Sequence, residues 1–421
     1  MVRAVALAAC LSATLAGGFL SAQEPRQGGP LSGKIVKIDA EKGELTIRTA
    51  DGKEHDVVVV ERTRIMGSDQ SPVKDRLKAP EFKVDAAVMF KVGRMQGKRG
   101  VLEGLKLGGP GGADRTGRDP PEKFDTSALT PLTELGTGKY HEFEGGLYPG
   151  GSNKRPADHE AAGIALAKTI EPLAASGKPD IAGKIVLLSI GMSNTSQEFS
   201  TFQQLARGDD AVNPKLVLVN GAQGGMTAAA IQNPDDQERG SKFWKTVDDR
   251  LRQAGVSREQ VQAVWLKQAD AGPSQGFPKY AQTLQAEMQT IAHILQARFP
   301  NLKLAYLSSR IYAGYARTRL NPEPYAYESG FSVKWLIGQQ IKGGAALNFD
   351  PKKGAVKSPW LSWGPYLWAN GTQAAAGLRY EESDLANDGT HPSPSGQRKV
   401  AEALLEFFKT DSTTKVWFAV Q

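Results

Sequence analysis

Two hydrophobic periods divide the chain. From about Leu31 to Leu107 apolar and polar residues alternate, as in Lys34–Ile35–Val36–Lys37–Ile38 and Glu44–Leu45–Thr46–Ile47–Arg48. Alternation at period two predicts strands with one buried face. Ala50–Asp51–Gly52–Lys53 reads as a hairpin turn, since glycine takes the positive φ such turns need. His55–Val60, Ala86–Val92 and Gly100–Leu105 are further strand candidates, so residues 31–107 are expected to form a small all-β barrel-like module. Barrels of this kind bind oligonucleotides or glycans in some proteins and are plain accessory modules in others. Phe82 and Phe90 are the only aromatics here, too few for a base-stacking platform, which favours the accessory role.

Gly108 to Asp114, running on to Pro121, is a linker by composition, and 108–127 is assigned to it. Over 128–421 the period changes. Ile185–Ile190, Leu216–Val219, Val261–Leu266 and Leu302–Leu307 are short apolar runs suited to strands buried on both faces. Amphipathic stretches follow or separate them: Gln197–Ala206, Phe243–Ala254, Tyr280–Arg298, Ser329–Ile341 and Ser395–Phe408. Strand and helix in alternation predict an α/β fold with a parallel sheet covered on both sides. Functional groups in such sheets gather at the carboxyl ends of the strands.

The first residues change the picture of where the protein works. Arg3, an apolar run from Ala4 to Leu20 and the small residue Ala22 have the layout of a secretory signal peptide over residues 1–22. A secreted or periplasmic protein is expected; lipid attachment at Cys10 is the alternative, disfavoured because Cys10 lies inside the run rather than at its end. No later segment is apolar for long enough to span a membrane. Cys10 is the single cysteine, so loss of the leader removes disulfides, thiol nucleophiles and cysteine-held metals together. The net charge of +7, one unit of it on Arg3, is small for 421 residues and is no nucleic-acid footprint.

The chemistry stands at the strand ends. Gly191–Met192–Ser193–Asn194–Thr195 follows the first run and precedes a helix, where free backbone N–H groups can stabilise negative charge. An N-capping serine is the bland alternative. The elbow pattern G-x-S-x-G is incomplete, because position 195 is Thr. Asn220 to Thr227 carries three glycines that let backbone N–H groups approach a ligand; a tight turn would need them equally. Trp265–Leu266–Lys267–Gln268–Ala269–Asp270 offers a glutamine amide and a loop carboxylate expected to be solvated. Asn387–Asp388–Gly389–Thr390–His391–Pro392 precedes a helix begun by Ser393 and Pro394. A carboxylate three residues before a histidine can fix its tautomer and stabilise its charged form.

Five histidines occur in the chain: His55, His141, His159, His293 and His391. Of these only His141 and His159, as rim residues, rival His391. No His-x-x-x-His pair or complete zincin motif exists, so no metal is expected.

Taken in order, these four loops resemble the SGNH (GDSL-like) hydrolase family, over roughly Ile181 to Phe408. Gly191-x-Ser193 is similar to the nucleophile block and Asp388-x-x-His391-Pro392 to the last block. Met192 stands where the family has Asp, and Gln268 where its third block has Asn. The Trp265-x-x-Gln268 arrangement resembles the variant in sialate O-acetylesterases and related carbohydrate esterases. The resemblance implies a three-layer, flavodoxin-like sheet and a serine esterase without a cofactor. Ser193 would be nucleophile, His391 base and Asp388 its partner, with Ser193, Gly225 and Gln268 around the oxyanion. The implied substrate is a small-molecule or polysaccharide ester.

Pro359 to Trp368 holds three tryptophans and a tyrosine shortly before Asp388, a composition suited equally to sugar stacking and to a packed sheet edge. Asn194, Trp363, Tyr366 and Trp368 are the candidate substrate-binding residues. The glycine-rich stretch from Tyr140 to Pro156 is a candidate cover for the cleft. A glycan-binding pseudoenzyme, and a lipase or arylesterase, are the rival readings.

Overall fold

The computed structural model describes residues 31–49, 52–66, 73, 75–96, 99–107 and 123–420, with the side chains of Arg94 and Gln96 excepted. The leader with Cys10, the turn residues Ala50–Asp51 and linker residues 108–122 lie outside them. The chain divides into two compact units, one ending at residue 115 and the other beginning at 116.

The first unit contains β1 (Leu31–Asp39), β2 (Glu44–Thr49), β3 (Glu54–Val58), β4 (Arg64–Met66), β5 (Ala87–Gln96) and β6 (Arg99–Leu107). They pair in the order β3-β2-β1-β5-β6-β4, and a further β3–β6 pairing closes five of them into a barrel. Closure removes the open strand edges that a sheet this small would otherwise expose. The alternating residues Ile35, Leu45, Ile47, Val57, Val88, Phe90 and Leu105 point inward and form its core. A bulge between Ile35 and Lys37 bends β1.

The second unit opens with α1 (Leu132–Leu135), the two-stranded hairpin β7 (Lys139–Tyr140) and β8 (Phe143–Glu144), and α2 (Ala157–Ala167). Next come β9 (Ile185–Gly191), α3 (Ser193–Arg207), β10 (Leu216–Asn220), α4 (Ala228–Ile231), α5 (Gly240–Gln253), β11 (Val261–Lys267) and α6 (Lys279–Arg298). The rest is β12 (Leu304–Leu307), α7 (Tyr325–Ile341), β13 (Trp360–Trp363), α8 (Pro394–Thr410) and α9 (Lys415–Phe418). The five long-range strands form one sheet, β10-β9-β11-β12-β13, parallel throughout. Every residue of β9, β11 and β12 is buried, as a parallel strand covered on both faces requires. The helices pack among themselves, α3 on α8 and α6 on α7.

The strand order reverses between β9 and β11: the chain moves outward to β10, then returns to build the other half. That reversal opens a crevice at the carboxyl ends of β9 and β11. Gly191–Met192–Ser193 and Gln268 leave the sheet there.

Candidate active site

The position of Ser193 follows from the end of β9. A Cβ on Gly191 would lie 2.3 Å from the Lys267 carbonyl and from Thr195 Oγ1, so no side chain fits where β9 and β11 separate. Met192 is the N-cap of α3 and Ser193 its first residue. The serine therefore does not cap the helix. Its Oγ lies 2.7 Å from His391 Nε2. Thr195, at the place of the missing elbow glycine, donates its hydroxyl to the Lys267 carbonyl at 2.8 Å and ties α3 to β11.

The loop before α8 is fixed from several sides. Asp388 Oδ2 is 2.5 Å from His391 Nδ1, while its Oδ1 accepts the backbone N–H groups of Thr390 and His391, each at 3.0 Å. Gly389 has φ +65, and a Cβ there would fall 1.8 Å from the Tyr315 carbonyl. The Asp388 carbonyl accepts from Arg317 N–H, and Asn194 donates its side-chain N–H to the Thr390 carbonyl at 2.9 Å. Asn194, expected as a substrate-binding residue, instead spends its amide on joining the nucleophile and histidine loops and is buried. Ser193, His391 and Asp388 form one hydrogen-bonded line drawn from two stretches of the chain, the end of β9 and the loop before α8.

Burial pushes the Asp388 carboxyl up, but bonds from the His391 ring and from two backbone N–H groups outweigh it and hold the carboxyl at about 2. A folded value below the ordinary 3.8 means stabilisation that is complete above about pH 4 and lost as pH falls towards 2. Asp388→Asn is expected to remove that share of the acid sensitivity; thermal unfolding of both proteins at about pH 5 and about pH 2.5 checks it.

The glycine loop after β10 borders the serine. A Cβ on Gly224 would stand 3.8 Å from Ser193 Cβ, whereas one on Gly225 would meet open space. Gly225 has φ +74, and among the described residues its N–H has no acceptor. Gln268 is buried, and its amide donates to the Met226 carbonyl at 3.1 Å. One of its two N–H groups is thereby spent on pinning the glycine loop, and one is left. Gly224→Ala is expected to slow turnover of bulky acyl groups with stability changed by no more than about 0.5 kcal/mol. Gly225→Ala should instead cost about 1–2 kcal/mol through its left-handed backbone. Thermal unfolding, with kcat/KM for acetyl against longer acyl esters, separates the two.

Three residues behind the serine escaped the sequence reading. Lys267, at the end of β11, lies 2.6 Å from both carboxylate oxygens of Glu198 on α3, with the two side chains 1% and 0% exposed. Burial, aided by the nearby Arg310 charge and opposed by Glu198, draws the Lys267 ammonium down to about 8. Arg310, in the loop after β12, is buried; its Nε and Nη2 have no partner among the described residues, and burial lowers its pKa. A charged pair inside an apolar-looking strand leaves no periodic signal, since Lys267 follows Trp265–Leu266 as an ordinary strand-end residue would.

Other expectations are corrected. Trp363 belongs to β13, which was not expected as a strand, and its indole N–H donates to the Leu147 carbonyl at 2.7 Å. Trp368 is fully buried and donates to Glu323 Oε1 at 2.8 Å. Tyr366 is buried and its hydroxyl accepts from Leu132 N–H. These rings fill the core between β13 and its covering segments, so no face is open to a sugar. The Tyr140–Pro156 stretch packs there too, with the Tyr148 hydroxyl 2.9 Å from Ser362 Oγ. His159 is buried with Nε2 at 2.8 Å from the Leu361 carbonyl, whereas His141 is exposed and stacks on Phe277. Asp270, a loop carboxylate as expected, accepts from Ala229 N–H at 3.0 Å. Among the described residues no three His, Cys, Asp or Glu side chains gather as a metal site, and no helix is long and apolar enough to cross a membrane.

No family profile matches the chain, and no curated protein does. Among solved structures, apo-CusF from Escherichia coli is 18% identical, over 21% of this chain and 99% of that one, with a TM-score of 0.15. A lipase from a goat rumen metagenome is 14% identical over 53% and 97% of the two chains, with a TM-score of 0.31. The periplasmic domain of a lipopolysaccharide acetyltransferase from Salmonella ser. Paratyphi A is 12% identical over 59% and 95%, with a TM-score of 0.29.

Proposed function

We propose that residues 128–421 form a serine esterase of the SGNH kind on a three-layer, flavodoxin-like sheet. The observation that carries this is the continuous line from Ser193 Oγ through His391 to Asp388, set at the first turn of a helix with unbonded N–H groups. Ser193 Oγ attacks the ester carbonyl and passes its proton to His391 Nε2, while Asp388 holds the ring and stabilises its positive charge. The backbone N–H groups of Ser193 and Gly225, with the remaining Gln268 N–H, face the oxyanion. His391 then protonates the departing alcohol, and water releases the acyl group by the same steps in reverse. The chain itself supplies nucleophile, base and oxyanion donors, so the reaction needs no cofactor.

The substrate proposed is an O-acylated carbohydrate, and the site of action is outside the cytoplasm, in keeping with the leader-like residues 1–22. Acetate release from acetylated xylan, pectin or sialoglycans by the mature protein, absent in Ser193→Ala, is the expected result. Hydrolysis confined to aryl or lipid esters would replace this substrate class with that of the rival lipase reading.

A further inference from the structure

The tryptophans separate into two groups. Six of the seven are buried, and each donates its indole N–H to a protein acceptor: Trp244, Trp265, Trp360, Trp363, Trp368 and Trp417. Trp335 is half-buried, and among the described residues its N–H has no acceptor. It lies on α7, a helix buried on most of its surface. Trp335, Gln339 and Lys342 recur at helical spacing and form the row that opens outward.

That row lines a groove of about 620 Å³ between α6 and α7. Phe143 stands at 4.9 Å and Phe277 at 5.8 Å from the Trp335 ring, and His141 stacks on Phe277. Gln282 and Gln285 of α6 face Gln339 across the groove. Gln285 donates to Gln339, which donates to Gln289, at 3.1 and 2.8 Å. The chain of amides leaves carbonyl oxygens and N–H groups unspent. Charge is nearly cancelled: Glu144 and Lys334 lie 3.5 Å apart, leaving Lys342 at the rim.

We infer that this groove binds a glycan chain, with Trp335 as the ring on which a sugar stacks. An aromatic with a free polar edge suits the apolar C–H face and the hydroxyl rim of a pyranose. Glutamine amides both donate and accept, as sugar hydroxyls do, and the single charge of Lys342 at the rim is little for an ionic ligand to hold. The segment from Gln268 to Phe277 connects the proposed esterase centre to the groove, a span of at most about 32 Å if fully extended. The groove would thus hold a polymer whose esters are presented to Ser193. The inference takes from the esterase proposal only the choice of polymers to try.

The test uses Ser193→Ala, so that the polymer is not altered during measurement. Affinity electrophoresis in acetylated xylan, pectin and a sialoglycan mucin is expected to retard Ser193→Ala in at least one of them. Ser193→Ala/Trp335→Ala is expected to bind that polymer roughly tenfold less tightly or worse, and Ser193→Ala/Trp335→Phe to fall between. Thermal unfolding confirms that each variant is folded. In the wild type, iodide should quench Trp335 fluorescence, and fragments of the same polymer should protect it. Equal retardation of all three variants, or no retardation of any in all three polymers, would overturn the inference. Retardation of Ser193→Ala that depends on Trp335, with no hydrolysis of that polymer or of small esters by the wild type, would count against the esterase proposal alone.

Discussion

Replacing Asp388 with asparagine is expected to lower kcat by roughly four orders of magnitude with the fold retained. Asparagine keeps the size of the carboxylate, and its carbonyl oxygen can still accept from Thr390 and His391 N–H as Asp388 Oδ1 does. What changes is the atom facing His391 Nδ1, now 2.5 Å from a carboxylate oxygen. An amide N–H there turns the imidazole to the tautomer whose Nε2 carries a proton, and that nitrogen can no longer take one from Ser193. No negative charge remains to stabilise the imidazolium. KM should change far less, because Asp388 is 7% exposed and lies behind His391. Steady-state kinetics on a small acetyl ester read this directly. A fall of less than about tenfold would remove Asp388 from the mechanism.

Lys267→Met should carry the largest stability cost, about 3–5 kcal/mol, because it leaves Glu198 buried without its cation. Glu198 and Lys267 are almost fully enclosed, so water cannot take the place of the lost partner. The double variant Glu198→Leu/Lys267→Met removes both charges and should recover much of that loss, since apolar side chains of similar volume satisfy the same space. The pair joins α3, which carries Ser193, to β11, whose end is followed by Gln268. A double variant that regains stability but not full kcat would show that the pair also sets the direction of the serine. Denaturant unfolding of the two single variants and the double one measures the coupling.

Much of the architecture was legible because its cause is periodic. Ile185–Ile190, Val261–Leu266 and the long helix near Tyr280–Arg298 declare themselves through runs and spacing that burial imposes. Ser193, Asp388 and His391 were legible for a different reason: each stands beside a strand end or a helix start marked by Gly191 or by Ser393–Pro394. β13 was missed because Trp360–Leu361–Ser362–Trp363 is only four residues long and its rings looked like a binding surface. Which tryptophan is open depends on what covers it, and cover comes from distant segments: Leu147 over Trp363, Glu323 beneath Trp368. For the same reason Trp335 gave no signal within its helix. The Lys267–Glu198 pair spans 69 residues and has no local trace. Arg310 follows β12 in a loop, and nothing in its neighbours along the chain marks it as buried.

The most direct measurement is covalent labelling of the purified mature protein with a fluorophosphonate probe, beside Ser193→Ala. An activated serine attacks the probe's phosphorus and is trapped, so the wild type should label at Ser193 alone and the variant should not label. A folded wild type that resists the probe would contradict the assembled triad and move the glycan-binding pseudoenzyme to the front.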